Sequence, residues 1–162
     1  MLTIRFTTTS DVQLIHELAL KVWPQTYVDI ISKEQIDFMM EMMYSKSSLQ
    51  QQMENGCHFL IIYDNDDLAG FASFQEIASS VYKLHKIYLL LSHQRKGTGR
   101  FFINFIIGLL KKRGAAALQL QVNRKNKAKS FYEKLGFTII QEADFDIGNG
   151  FFMNDYVMER KL

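Results

Sequence analysis

The chain is poor in cysteine and proline, with one of each among 162 residues. Cys57 alone can form no internal disulfide and cannot build a zinc site. No Pro/Gly/Ser linker, repeat or low-complexity tract marks a boundary, so one compact domain over residues 1–162 is expected. Neither charge sign is in excess: 19 basic and 17 acidic residues leave a formal +2. Such a balance lacks the basic surplus of a non-specific nucleic-acid binder, so no nucleic-acid partner is expected and an acidic ligand must meet a local cluster. No apolar run is long enough for a bilayer; the richest, around Phe101–Leu110, falls far short of the ~20 residues a span needs. Arg5 and the hydroxyl run Thr7–Ser10 take the place of a signal peptide's apolar core, which makes cytoplasmic the expected location. What is plentiful is apolar surface, 48% of residues with 13% aromatic, enough for a substantial core.

Leu2–Thr7 alternates apolar and polar residues and predicts a strand. Ser10 with Gln13 reads as a capping box opening a helix whose buried face is Ile15, Leu18, Ala19 and Val22, with Pro24 at its end. Ser32 with Gln35 repeats the signature before a helix burying Ile36, Met39, Met40 and Met43. His58–Tyr63 and Leu68–Phe74 predict strands around an Asp64–Asp67 turn, and Tyr82–Leu91 a central strand. A helix over Thr98–Lys112 carries Phe102, Phe105, Ile106, Leu109 and Leu110 at helical spacing and closes at Gly114. Leu118–Val122 predicts a strand and Lys125–Leu135 a helix. The segments Phe137–Phe145 and Phe151–Met158 flank the hairpin signal Gly148-Asn149-Gly150. This order predicts an α/β domain around one mixed sheet.

Chemistry concentrates in Gln94-Arg95-Lys96-Gly97-Thr98-Gly99-Arg100, between the buried strand and an apolar helix. Glycines at a helix mouth let backbone approach a ligand, and the unpaired N–H groups of the first turn make an anion site. Three basic side chains add charge, so a phosphorylated ligand is expected, with a plain basic turn as the alternative. The segment is not a P-loop, because no Gly-Lys-Ser/Thr follows at the right spacing. Nor is it a dinucleotide fingerprint, because Phe102 stands where a third glycine belongs.

Gln94-x-x-Gly97-x-Gly99 resembles the Gln/Arg-x-x-Gly-x-Gly/Ala motif of the GNAT superfamily of N-acetyltransferases. The stretch from Asn126 through Ala128 to Phe131-Tyr132-Glu133-Lys134-Leu135-Gly136-Phe137 is similar to a second segment of that family. The likeness is densest over Leu84–Phe137; Leu91 replaces a frequent proline, and Asn126 lies one position nearer Tyr132 than is common, so Asn123 shares its candidacy. The resemblance implies a mixed, mostly antiparallel sheet of about six or seven strands with about four helices. It implies acetyl-CoA as cofactor, held by Ile87, Tyr88 and Leu89 along the strand, Gln94–Arg100 at the pyrophosphate, and Asn123, Asn126, Lys129 and Phe131 beyond.

An alkylamine has a pKa of about 10.4, so acetyl transfer needs a base, an oxyanion donor and an acid for the thiolate. The resemblance points to the Leu89 N–H as oxyanion donor and Tyr132 as acid, a packed core tyrosine being the alternative. The base stays open between His85, which shares a strand face with Ile87, Glu76 on the preceding strand, and water. Lys83 stands where some relatives have a glutamate, and Cys57 reads as a buried, inert thiol. Trp23, Tyr27, Tyr44, Phe151 and Tyr156 are candidate walls of an acceptor pocket, and Glu76 a candidate acceptor contact. Asp29, Glu34, Asp37 and Glu41 give the helical region an acidic side. Trp23–Tyr27, Glu34-Gln35 and Met43-Tyr44-Ser45 resemble bacterial polyamine acetyltransferases, so a small amine of the spermidine or spermine type is the lead acceptor. Peptide N-termini, lysines and aminoglycosides stay open, as does a non-catalytic acyl-CoA-binding regulator. A homodimer through the C-terminal hairpin is a further expectation from the family.

Overall fold

The computed structural model describes residues 1–162. Strand β1 is Leu2–Phe6, followed by helices α1 (Val12–Tyr27), α2 (Lys33–Tyr44) and α3 (Lys46–Glu54). Strands β2 (His58–Asp64), β3 (Asp67–Ala78) and β4 (Val81–Leu89) precede α4 (Thr98–Lys112), β5 (Ala117–Asn123) and α5 (Ala128–Lys134). Strands β6 (Thr138–Gly148) and β7 (Phe151–Lys161) close the chain. The seven strands form one sheet in the order β1-β2-β3-β4-β5-β7-β6. The registers pair β1 with β2, β2 with β3, β5 with β7 and β6 with β7 antiparallel, whereas β4 and β5 run parallel. The expected mixed, mostly antiparallel α/β architecture is therefore present, with five α-helices. Packing gathers the chain into two units, Met1–Gln75 with Lys86–Ile103, and Glu76–His85 with Asn104–Leu162.

In the first unit α1 buries Ile15, Leu18, Ala19, Val22 and Trp23, the periodic face read from sequence plus the tryptophan. Its entry differs from expectation: Thr8 and Asp11 form the capping box, two residues before Ser10 and Gln13. Gln13 instead bonds Glu17 on the helix surface. Pro24 does not end α1, which continues to Tyr27. Proline removes one donor to the carbonyl four residues back, and that residue, Leu20, is half exposed, so water can take the bond. Ser32 caps α2 by accepting from the Gln35 N–H, as expected. Ile36 and Met39 are buried there, while Met40 and Met43 are only half-buried. Helix α3 was not foreseen: its sequence KSSLQQQME buries a single residue, Leu49, so it carries almost no apolar period. Strand β2 is buried from Phe59 to Ile62, as a central strand should be.

Helix α4 spans the residues expected, but its buried face is Phe102, Ile103, Ile106, Ile107 and Leu110. Phe105 is 40% exposed and Leu109 half-buried. The helix is apolar on most of its circumference, so the pattern alone does not fix which side faces inward. In the second unit β5 buries Ala117, Leu118, Leu120 and Val122. Helix α5 begins later than predicted, at Ala128, because the Asn126 side chain accepts from the Ala128 N–H. Gly148, Asn149 and Gly150 all take positive φ (93°, 55° and 76°) and turn β6 into β7. The hairpin strands run longer than predicted, to Gly148 and Lys161.

Candidate active site

The anion motif occupies a strained loop. Arg95 has φ 62° and Gly97 φ 78°, so two residues in the left-handed region aim backbone N–H groups outward just before α4. Space is open where a Gly97 side chain would stand. Thr98 is buried at the first turn of α4, while Gln94, Arg95, Lys96 and Arg100 are exposed and Gly99 half-buried. The Gln94 amide donates to the Leu89 carbonyl at 3.1 Å, tying the loop to the end of β4. This is the geometry an anionic, phosphate-bearing group fits: first-turn N–H groups, a helix dipole and three cations.

The end of β4 is fixed against β3 by a close approach. A Cβ on Gly70 would stand 2.2 Å from the Tyr88 carbonyl oxygen, so only glycine fits there. Leu90 N–H donates to Ala69 O at 2.8 Å. Backbone groups alternate sides along an extended strand, so with Leu90 turned to β3 the Leu89 N–H points to the opposite edge. On that edge the parallel register covers Val81–Leu84 with Ala117–Leu120, and β4 continues beyond it to Leu89.

Tyr132 of α5 is buried beside Phe137 (ring centroids 6.0 Å) and Phe131 (5.5 Å). Burial drives its hydroxyl well above the ordinary tyrosine range and keeps the proton on oxygen. The two asparagines place their side-chain oxygens on local backbone, Asn123 on Lys125 N–H and Asn126 on Ala128 N–H. Lys129 pairs with Glu133 at 3.3 Å and lies over the Tyr156 ring at 5.6 Å, so α5 covers the face of β7 that carries Tyr156.

The opposite face of that sheet region carries a cluster that sequence reading missed. Register places Lys83 beside Gln119, Gln119 beside Glu159, Gln121 beside Val157 and Asn123 beside Asp155. These side chains share one face, as the bonds Lys83 to Gln121 (2.7 Å) and Gln119 to Glu159 (2.8 Å) confirm. Asp155 is 3% exposed, the only buried carboxylate in the chain. Burial pushes its pKa up to about 6, against the opposing pull of Lys83 and Arg124. Desolvation also lowers Lys83. The only cue in the sequence was an aspartate inside an apolar strand, Phe151–Met158.

Of the other candidates, Trp23 is 2% exposed and donates its indole N–H to the Tyr44 hydroxyl at 2.9 Å. Its ring lies 4.3 Å from Tyr27 and 6.0 Å from Tyr88, and the Tyr27 and Tyr88 hydroxyls bond at 3.0 Å. Tyr27, Ile87, Tyr88 and Phe151 are half-buried, so they present surface where Trp23 and Tyr44 do not. Glu76 is exposed and accepts from the Ser80 N–H at the β3–β4 turn; His85 is exposed on β4. Asp37 is paired with Lys33, which reduces the acidic side of α2. Cys57 is buried, and burial raises its thiol. No helix is long and apolar enough to cross a membrane.

Comparison with known proteins gives this geometry a family. Residues 27–159 match the acetyltransferase (GNAT) domain. A spermidine N(1)-acetyltransferase of Thermoplasma acidophilum is 29% identical over 98% of this chain and 96% of its own length. The crystal structure of PaiA N-acetyltransferase from Thermoplasma acidophilum in complex with coenzyme A superposes with a TM-score of 0.83 at 28% identity, covering 100% of this chain and 99% of that one. The ribosomal-protein-S18-alanine N-acetyltransferase of Escherichia coli shares the fold, with a TM-score of 0.75 at 21% identity over 99% and 94% of the two chains. A match over most of the chain, joined to the glycine loop before α4, makes this protein a member of the GNAT acetyltransferase family.

Proposed function

We propose that this chain is an acetyl-CoA-dependent N-acetyltransferase whose acceptor is a primary amine of a spermidine-type polyamine. The observation that carries the acceptor class is its end-to-end relationship to a spermidine acetyltransferase. The strained loop at Arg95 and Gly97, with open space before it and three cations around it, suits the pyrophosphate of CoA. Bound acetyl-CoA would supply an activated thioester.

The chain's own groups then divide the work. N–H groups of Gly97–Arg100 and the side chains of Arg95, Lys96 and Arg100 hold phosphate; Gln94 fixes the loop to Leu89. Ile87, Tyr88 and Leu89 offer an extended edge to the pantetheine arm, and the Leu89 N–H donates to the carbonyl oxygen as negative charge develops there. Asn123, Asn126, Lys129 and Phe131 belong to the remaining cofactor contacts. Tyr132, held protonated by burial, is the donor to the departing sulfur. Tyr27, backed by the buried Trp23, and Tyr156 are the proposed acceptor walls; His85 and Glu76 are the base candidates carried from the sequence.

The test is thiol release from acetyl-CoA over a panel of spermidine, spermine, a peptide N-terminus and an aminoglycoside. Spermidine-dependent release is expected, and Tyr132→Phe should lower kcat about a hundredfold while CoA affinity holds. Cofactor binding without turnover on any amine would instead identify a non-catalytic acyl-CoA-binding regulator. The single, buried thiol supports a reducing, cytoplasmic setting. Exposed Ile139 and Ile140 on the terminal strand β6 support a homodimer, to be read by sedimentation.

A further inference from the structure

Resting on the CoA reading above, we propose that His93 positions the Gln94–Arg100 loop by pairing with Asp64 while its imidazole is protonated. His93 closes the short turn Leu91–His93 that joins β4 to the loop. Across residues 91–97 every residue but His93 is exposed; its side chain, at 12% exposure, turns inward. There its Nδ1 stands 3.6 Å from Asp64 Oδ2, at the end of β2. That separation is too long for a hydrogen bond. Nδ1 is one of only two buried side-chain polar atoms that no hydrogen bond reaches, Ser73 Oγ being the other. Buried polar groups are almost always satisfied, so an exception at the root of a binding loop asks for a use.

The pair changes character with the proton. A neutral imidazole at this distance from a carboxylate gains little, whereas an imidazolium is drawn to it by charge. Asp64 is 33% exposed and His93 12%, so solvent screens the pair only in part. The effect falls on the loop because its root is otherwise held to itself and to β3. Gln94 N–H donates to Leu91 O at 3.2 Å, the Gln94 amide to Leu89 O at 3.1 Å, and Leu90 N–H to Ala69 O. His93 adds the tie to β2. Two residues on, Arg95 takes φ 62°, a conformation that persists only where its surroundings hold it. Drawing His93 onto Asp64 therefore stabilises the turn that aims the loop N–H groups at phosphate. Other charges surround the pair. The Met1 ammonium, 88% exposed, stands 3.6 Å from Asp64 Oδ1. Asp66 and Asp67 complete the β2–β3 turn, and Arg95 and Lys96 follow His93 in the loop, all four exposed. Asp64 favours the imidazolium, the loop cations oppose it, and phosphate bound to those cations removes that opposition. CoA and the proton thus each favour the other's binding.

The experiment measures CoA and pantetheine affinity by titration calorimetry from about pH 5.5 to about pH 8.5. It compares the wild type, His93→Gln, Asp64→Asn and the double variant, with kcat, KM for acetyl-CoA and melting temperature for each. The phosphate monoester of CoA also titrates, near about pH 6, but identically for every variant, so the ratio of wild type to variant isolates the protein's share. At the acidic end the wild type is expected to bind CoA about fivefold or more tightly than His93→Gln, and at the alkaline end within about twofold. Asp64→Asn should erase the same advantage, and the double variant should lose nothing further, as for two groups that act as one. KM for acetyl-CoA should follow these ratios while kcat stays within about twofold. Pantetheine, which carries no pyrophosphate, should bind all four proteins alike. No CoA binding by the wild type at any pH overturns the cofactor reading and the proposal with it. With CoA bound, an advantage kept in Asp64→Asn would mean that the imidazolium acts on phosphate directly. An advantage equal at both ends of the pH range, or extended to pantetheine, would mean packing alone. Each of these overturns the positioning role of His93 and leaves the acetyltransferase standing.

Discussion

At the scale of single residues, Asp155 and Tyr132 are both pushed by burial toward their neutral forms, with opposite consequences. For Tyr132 the neutral form is the one present at neutral pH, so burial costs no ionisation. For Asp155 the folded pKa of about 6 lies above the unfolded 3.8, so the native state binds the proton more tightly. Stability from this group is fully present below about pH 3.8 and is lost as pH rises through about 6. The gap is on the order of 3 kcal/mol at pH 8, an upper bound. Asp155→Asn should therefore raise the melting temperature by several degrees at pH 8 and leave it nearly unchanged at pH 3, as scanning calorimetry at the two pH values can check. An equal shift at both would mean that packing, not ionisation, sets the effect.

At the scale of elements, two glycines separate folding from binding. Gly70 faces the Tyr88 carbonyl at a distance no Cβ tolerates, and both atoms in the contact are backbone or strand-bound. Gly70→Ala should cost about 1–3 kcal/mol or more and displace the end of β4, lowering stability and activity together. Gly97 has open space but φ 78°, so Gly97→Ala strains only the loop. It should weaken CoA binding about tenfold or more, with a smaller loss of stability, as titration calorimetry beside urea unfolding would show. The loop's identity was legible because its spacing is local: Gln94, Gly97 and Gly99 need no partner elsewhere. Asp155 was not, because its meaning comes from register with Asn123 and from Lys83 in a distant stretch of chain. Helix α3 was hidden for a similar reason. Its Ser45 cap and lone buried Leu49 make a helix only once tertiary packing supplies a surface. The rotation of α4 needed the packed structure too, since Phe105 and Ile103 are equally apolar on paper.

At the scale of the whole molecule, a net charge of +2 provides no long-range field for a polyanionic cofactor. Attraction must come from Arg95, Lys96 and Arg100, all exposed and gathered within six residues, and from backbone N–H groups that salt screens less. Two components of affinity should then separate with ionic strength. Exposed cation–phosphate pairs weaken as the Debye length falls from about 10 Å at 0.1 M to about 3 Å at 1 M, while the aimed N–H groups persist. A ligand bound only by the native state stabilises it by about 2.7 kcal/mol at a hundredfold excess over Kd. For a chain of 162 residues that corresponds to a melting shift of roughly 5–10 °C. CoA is expected to give such a shift at low salt and a reduced but measurable one at 0.5 M. Pantetheine, which lacks the pyrophosphate, should give a small shift that salt does not change. Equal shifts from the two ligands would mean that the Gln94–Arg100 loop contributes nothing to cofactor binding.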